Sequence, residues 1–256
     1  MDEQLKTTVD FIARAFALEN GGSRKGSFRL FGGLACRIHS SSGDAFGRDD
    51  RRFDVDIFTR HFTLDMRILI QKAGAIWLET SLLKTGAFNR FKILDNGVII
   101  DFYSGVFEFN QSIPISGRLT VDQPTFPLAE LLLSKLQIHE LSDKHKSDIV
   151  LLLADHELGF SDTEEINLAV IASYCGSDWC LWYECLRNIS LVQGFLVREE
   201  GWTEGIKGIV QIKLANLEAA LMSCRKGFRW RLRAPFGTRL RYYNEVEEIP
   251  YGDANA

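Results

Sequence analysis

The stretch from Phe31 to Thr59 limits what this chain can become more than any other. It opens as Phe31-Gly32-Gly33-Leu34-Ala35, directly after the apolar run Ser27-Phe28-Arg29-Leu30-Phe31, and closes as Arg52-Phe53-Asp54-Val55-Asp56-Ile57-Phe58-Thr59. The pattern predicts a strand at 27–31, a glycine turn into a helix at 33–40, and a second strand at 53–59. Side chains alternate across a strand, so Asp54 and Asp56 share one side while Phe53, Val55 and Ile57 share the other. Two neighbouring carboxylates repel unless a cation lies between them, and paired hard oxygens suit Mg²⁺.

A lone Asp-Val-Asp is most often the wet side of a half-exposed strand. Two features raise it above that. The bare backbone N–H groups of Gly32 and Gly33, at a strand-to-helix junction, are suited to approach a polyphosphate. A third acid, Asp101, sits in the apolar run Gly97-Val98-Ile99-Ile100-Asp101-Phe102-Tyr103. Apolar alternation from Phe88 to Leu94 leads into Asp95-Asn96-Gly97, a strong hairpin signal that brings Asp101 onto the same sheet.

The order Gly-Gly, Asp-x-Asp, then a single Asp on a later strand resembles the nucleotidyltransferase superfamily with a DNA polymerase beta-like core. Within it the chain is most similar to the AbiEii-type bacterial toxin nucleotidyltransferases and their uncharacterised relatives. The helix Gly33-Leu34-Ala35-Cys36-Arg37-Ile38-His39 fits that pattern, as do Leu131-Leu132-Leu133-Ser134-Lys135-Leu136 and Lys146-Ser147-Asp148-Ile149. Many superfamily members carry Gly-Ser where this chain has Gly32-Gly33, so backbone amides alone would face the phosphates. A long polar connection, including Ser40-Ser41-Ser42-Gly43-Asp44 and Arg48-Asp49-Asp50-Arg51-Arg52, separates the glycines from Asp54.

The resemblance implies an α+β fold, with a nucleotidyltransferase-like mixed sheet and flanking helices followed by a helical domain. It implies transfer of a nucleoside monophosphate from a nucleoside triphosphate such as ATP to an acceptor. Two Mg²⁺ ions would be held by Asp54, Asp56 and Asp101, and the triphosphate by Gly32, Gly33 and Lys135, with Lys146 and Asp148 as further nucleotide-side candidates. Toxin relatives act on RNA, including tRNA, or on a protein, and an antitoxin partner would accompany such an activity. The alternatives are transfer to a small antibiotic-type molecule, and a nucleotide- or RNA-binding protein that keeps the fold without the chemistry.

Pro124 and Pro127 mark a change to long helical periodicity, which predicts a catalytic domain over 1–124 and a helical domain over 125–256. Helices are expected at 3–18, 63–73, 127–141, 143–156, 162–174, 177–192 and 205–222, and one more strand at 113–121. Lys135 stands on a mostly apolar helix face, where it either snorkels to the surface or meets a triphosphate. Lys146 and Asp148 fit a solvated helix start equally well. From Arg225 to Tyr243 there are seven basic residues and no acidic one. Read as a strand, this segment turns Phe228, Trp230 and Leu232 inward and lines up Arg229, Arg231 and Arg233 as an RNA-backbone candidate, with Tyr242 and Tyr243 for stacking. The opposing expectation is a terminal strand with a solvated arginine face.

The net charge of -4 gives no global signal for nucleic acid or membrane, and no apolar run approaches a membrane span. With no leader-like start, cytoplasm is the expected location. Five cysteines do not suggest a disulfide framework. Cys175, Cys180 and Cys185, five apart, are expected as buried helix packing rather than a zinc site. The five histidines show no metal-ligand spacing.

Overall fold

The computed structural model describes residues 3–20, 28–40, 55–78 and 88–246. The first half is a five-stranded sheet with its helices: α1 (Glu3–Asn20), β1 (Arg29–Phe31), α2 (Gly32–His39), β2 (Val55–Thr59), α3 (Leu64–Lys72), β3 (Ala75–Leu78), β4 (Phe88–Ile93) and β5 (Ile99–Ser104). The strand order is β1-β2-β5-β4-β3. Only β2 and β5 run parallel, and the other neighbouring pairs are antiparallel.

Local chemistry accounts for the element ends. Thr63 caps α3, its hydroxyl oxygen accepting from the Met66 amide at 3.3 Å. The β4–β5 hairpin closes at Gly97, whose φ of 72° is left-handed and whose amide donates to Ile93 O at 2.9 Å. Aromatic rings then fill both sides of the sheet. On one side Phe28 meets Phe16 of α1 and Phe102 of β5, with centroids 5.8 and 5.3 Å away. On the other, Phe31, Phe58 and Tyr103 pack with Phe107, Phe109 and Phe126.

Past the sheet, the strand expected at 113–121 is reduced to a two-residue hairpin, β6 (Phe107–Glu108) with β7 (Ser112–Ile113), and a 3₁₀ turn at Ile115–Gly117. Helices follow: α4 (Leu128–Leu136), α5 (Asp143–Asp155), α6 (Leu168–Ser177), α7 (Trp179–Arg198), α8 (Glu204–Ser223) and α9 (Phe228–Arg233). The helix expected from 162 starts later because residues 157–167 form a small parallel pair, β8 (Glu157–Gly159) with β9 (Glu165–Asn167). Asn167 then caps α6, accepting from the Ala169 and Val170 amides.

All nine residues of α4 are buried, because α2, α5, α6 and α7 pack around it. The fold is α+β, a mixed five-stranded sheet with helices after it. The expected boundary near 124 falls where the sheet gives way to α4, and one continuous apolar cluster from Phe11 to Leu221 crosses it. Among the described residues no helix is long and apolar enough to cross a membrane.

Candidate active site

Register brings the acids together. In the parallel β2–β5 pair Asp56 stands opposite Asp101, in β4–β5 Arg90 stands opposite Asp101, and in β1–β2 Phe31 stands opposite Asp56. Residues directly opposite each other share a side of the sheet. Phe31, Asp56, Asp101 and Arg90 therefore form one row across four strands. Asp54, the first expected metal ligand, lies outside the described residues.

Asp101, expected as a Mg²⁺ ligand, already has a partner of opposite charge. Arg90 grips it as a fork, with Nε 2.7 Å from Oδ1 and Nη2 2.8 Å from Oδ2, and both side chains are buried. Arg90 was not expected at the site. The hairpin turn alone fixes it, because a register set by Ile93 and Val98 puts Arg90 opposite Asp101. An ionised carboxylate oxygen has two lone pairs, so the fork leaves acceptor capacity on both oxygens.

Gly32 is needed for two independent reasons. Its φ of 73° is left-handed, and a Cβ placed there would stand 2.1 Å from Asp56 Oδ2. The start of α2 therefore lies directly against the Asp56 carboxylate, where its partial positive charge favours an anion. The glycine pair expected to receive phosphate meets a protein carboxylate first.

Lys135 neither snorkels nor reaches solvent: it is 5% exposed, with Nζ 2.8 Å from Asp148 Oδ2. Burial works against its charge, but Asp148, then Cys36 of α2, and more weakly Asp56 outweigh it and hold the ammonium pKa above the usual lysine value. A charged lysine is thus held buried on α4, paired with Asp148 and favoured by the Asp56 charge. Asp148 is fully buried, which overturns the solvated-face expectation for that residue. Lys146 turns elsewhere on α5, pairing with Asp143 at 2.8 Å beside the Phe195 ring.

The C-terminal basic segment is not a strand. Residues 228–233 form the short helix α9 and 234–239 a 3₁₀ stretch, with none of the α9 side chains buried. Phe228 and Leu232 are exposed rather than turned inward. Helical spacing breaks the expected row: Arg229 and Arg233, four apart, share a face of α9, while Arg231 turns to the opposite one. Arg233 lies over Trp179, 4.7 Å from the ring centroid, and donates to Gly237 O and Leu240 O. Tyr243 stacks on His139 at 3.5 Å and Tyr242 packs beside Tyr183, so both rings are already engaged by the protein.

Cys175 ends α6 while Cys180 and Cys185 lie on α7, and Cys175 and Cys185 are buried as expected of packing cysteines. His39 donates or accepts at Thr125 Oγ1 and meets the His156 ring edge-on, a structural pairing. Among the described residues no group of three His, Cys, Asp or Glu side chains is arranged to hold a metal ion. The described part of the expected ligand set is Asp56 and Asp101, hard oxygen donors side by side.

No protein-family model matches the chain, and no curated protein matches it. Among solved structures the chain is similar to the crystal structure of JHP933 from Helicobacter pylori, at 13% identity and a TM-score of 0.41, over 87% of this chain and 94% of that one.

Proposed function

We propose that the protein is a Mg²⁺-dependent nucleotidyltransferase that moves a nucleoside monophosphate from a nucleoside triphosphate to an acceptor. The observation that supports this most is the adjacency of Asp56 and Asp101 on parallel strands, with the Gly32 backbone against Asp56. In the reaction an acceptor hydroxyl gives up its proton to solvent as its oxygen attacks the α-phosphorus, the bridge to the β-phosphate breaks, and pyrophosphate leaves with its electron pair. Such chemistry asks a protein mainly for positioning and charge neutralisation. Asp56 and Asp101, with Asp54 two residues before Asp56 in the sequence, would hold the Mg²⁺ ions. When bound, those ions neutralise the phosphates and lower the pKa of the attacking group. Gly32 and Gly33 present backbone amides to the triphosphate. Lys135, buried and paired with Asp148, supplies a fixed positive charge. Arg90 holds the Asp101 carboxylate in one orientation.

The acceptor in this reading is RNA, tRNA included, or a protein, as in the toxin-like resemblance, with an antitoxin as partner. A small hydroxyl-bearing molecule is the alternative acceptor. The Arg90 grip on Asp101 favours one further reading, a nucleotide-binding protein without turnover, because the guanidinium already supplies the counter-charge a metal would bring.

Turnover and binding separate these readings. With labelled triphosphates and Mg²⁺, Asp54→Ala, Asp56→Ala and Asp101→Asn each abolish transfer to RNA, protein or metabolites. Asp101→Asn keeps a hydrogen-bond acceptor for Arg90, so its melting temperature reports whether the fold survived. Full transfer by any of these variants removes the metal assignment. Thermal stabilisation by nucleotide and Mg²⁺ with no transfer to any acceptor supports binding without chemistry.

A further inference from the structure

A groove of about 680 Å³ opens between the C-terminal half of α6 and the segment leading into α9. Ser173 and Ser177 line it from α6, and Arg225, Phe228 and Arg231 line it from the basic segment. The two sides are fastened to each other. The Gly227 amide donates to Gly176 O at 2.8 Å, and a Cβ on Gly176 would stand 2.5 Å from Arg225 O. The groove is therefore set by backbone contact rather than by mobile side chains.

Its chemistry is one-sided. Among the described residues no carboxylate lines it, and Arg225 and Arg231 are both exposed. Lys226 is different: its ammonium donates to Leu221 O and lies over both the Trp182 and Trp230 rings, so it belongs to the protein's own packing. Phe228 is 76% exposed at the groove, a large ring with no core to enter. Free guanidinium groups beside an exposed aromatic ring match phosphodiesters and an unstacked base. The exposed Ser173 hydroxyl, and Ser177 Oγ, which donates to Tyr174 O at 2.8 Å and can still accept, offer partners for a ribose 2′-hydroxyl, the group that distinguishes RNA from DNA.

We propose that this groove binds single-stranded RNA, with Arg225 and Arg231 on the phosphates, Phe228 under a base, and Ser173 and Ser177 toward the ribose. The binding needs neither the acidic row nor Mg²⁺. It stands whether or not the protein transfers nucleotides.

The test is fluorescence anisotropy of the full chain, in EDTA, with a labelled unstructured RNA of about 12 nucleotides. Affinity should fall with salt, and Arg225→Glu/Arg231→Glu should weaken binding by more than about tenfold and flatten the log–log salt slope by roughly 1.4, two phosphate contacts' worth. Phe228→Ala should weaken it about 5- to 150-fold, the range for losing one stacked base. Arg229→Glu makes the same charge change per residue but does not line the groove, and should bind within about twofold of the parent. All four side chains are exposed, so unchanged thermal melting is expected. Should the double variant fail to fold, Arg231→Gln and Phe228→Ala carry the comparison. The proposal is overturned if Arg229→Glu weakens binding as much as Arg231→Glu, if DNA of the same sequence or polyglutamate competes equally, or if Phe228→Ala has no effect.

Discussion

Replacing Gly32 by alanine probes the junction on which the acidic row depends. The added methyl would stand 2.1 Å from Asp56 Oδ2, 3.1 Å from its Cγ and 3.3 Å from its Cβ. Carbon and oxygen atoms prefer to lie about 3.5 Å apart, so the carboxylate must withdraw by at least about 1 Å. Left-handed backbone costs a non-glycine residue about 1–2 kcal/mol, and forcing an extra methyl into a filled space adds about 1–3 kcal/mol. Together these give a destabilisation of about 2–5 kcal/mol, or a melting temperature lower by about 4–20 °C for a chain of this size. Asp56→Ala removes the two closest obstacles but not the backbone strain. In Gly32→Ala/Asp56→Ala the overpacking part, about 1–3 kcal/mol, should therefore be recovered as coupling. Urea unfolding of the parent, the two single variants and the double variant measures it. The close approach is refuted if Gly32→Ala stays within about 0.5 kcal/mol of the parent, or if the two single effects simply add. On the transferase reading, a carboxylate displaced by about 1 Å also lowers turnover by on the order of 100-fold.

Three further perturbations follow from the charges. Arg90→Met leaves the buried Asp101 carboxylate without its fork and should destabilise by about 3–5 kcal/mol in urea unfolding, whereas Arg90→Met/Asp101→Leu should recover most of that loss. Lys135→Met should cost about as much through Asp148, and Lys135→Met/Asp148→Leu should again be close to neutral; equal stability of Lys135→Met and the parent would show that the pair is not buried. Burial, opposed by Asp122 and reinforced by His156, holds the His39 pKa below its ordinary value of 6.5. The unfolded chain therefore binds a proton more readily than the folded one. The His39 contribution is full above pH 6.5 and is lost as pH falls through the lowered folded value. His39→Gln should flatten the pH dependence of unfolding free energy below neutrality, and an unchanged slope would refute the assignment.

Much of the sheet was legible in the chain. Asp95-Asn96-Gly97 set the β4–β5 turn, Thr63 set the start of α3, and period two placed Asp56 on the side away from Val55 and Ile57. Counting outward from that turn would also have found Arg90, but an arginine inside an apolar alternation does not announce a partner until the turn is fixed. Which strand neighbours β2, and in which direction, depends on non-local packing that no short pattern carries. The basic segment misled because Phe228, Trp230 and Leu232 alternate as in a strand. A strand needs a free edge to join, and here Gly227 and Pro235 bracket a single exposed helical turn instead. Burial of Lys135 was equally hidden, since only the packing of α2, α5, α6 and α7 around α4 encloses it.

The pairing of β2 with β5 also bears on how the molecule assembles. The β4–β5 hairpin is local, whereas α3, β3 and β4 all intervene in sequence between β2 and its parallel neighbour. Loop-closure entropy favours the hairpin first, which predicts that Asp101 meets Arg90 before Asp56 arrives. In that order the arginine would act as a guard during docking, cancelling one negative charge so that the second carboxylate strand is not repelled as it closes. On this account Arg90→Met slows folding more than it quickens unfolding, and kinetics with the opposite balance would assign Arg90 to the finished molecule alone.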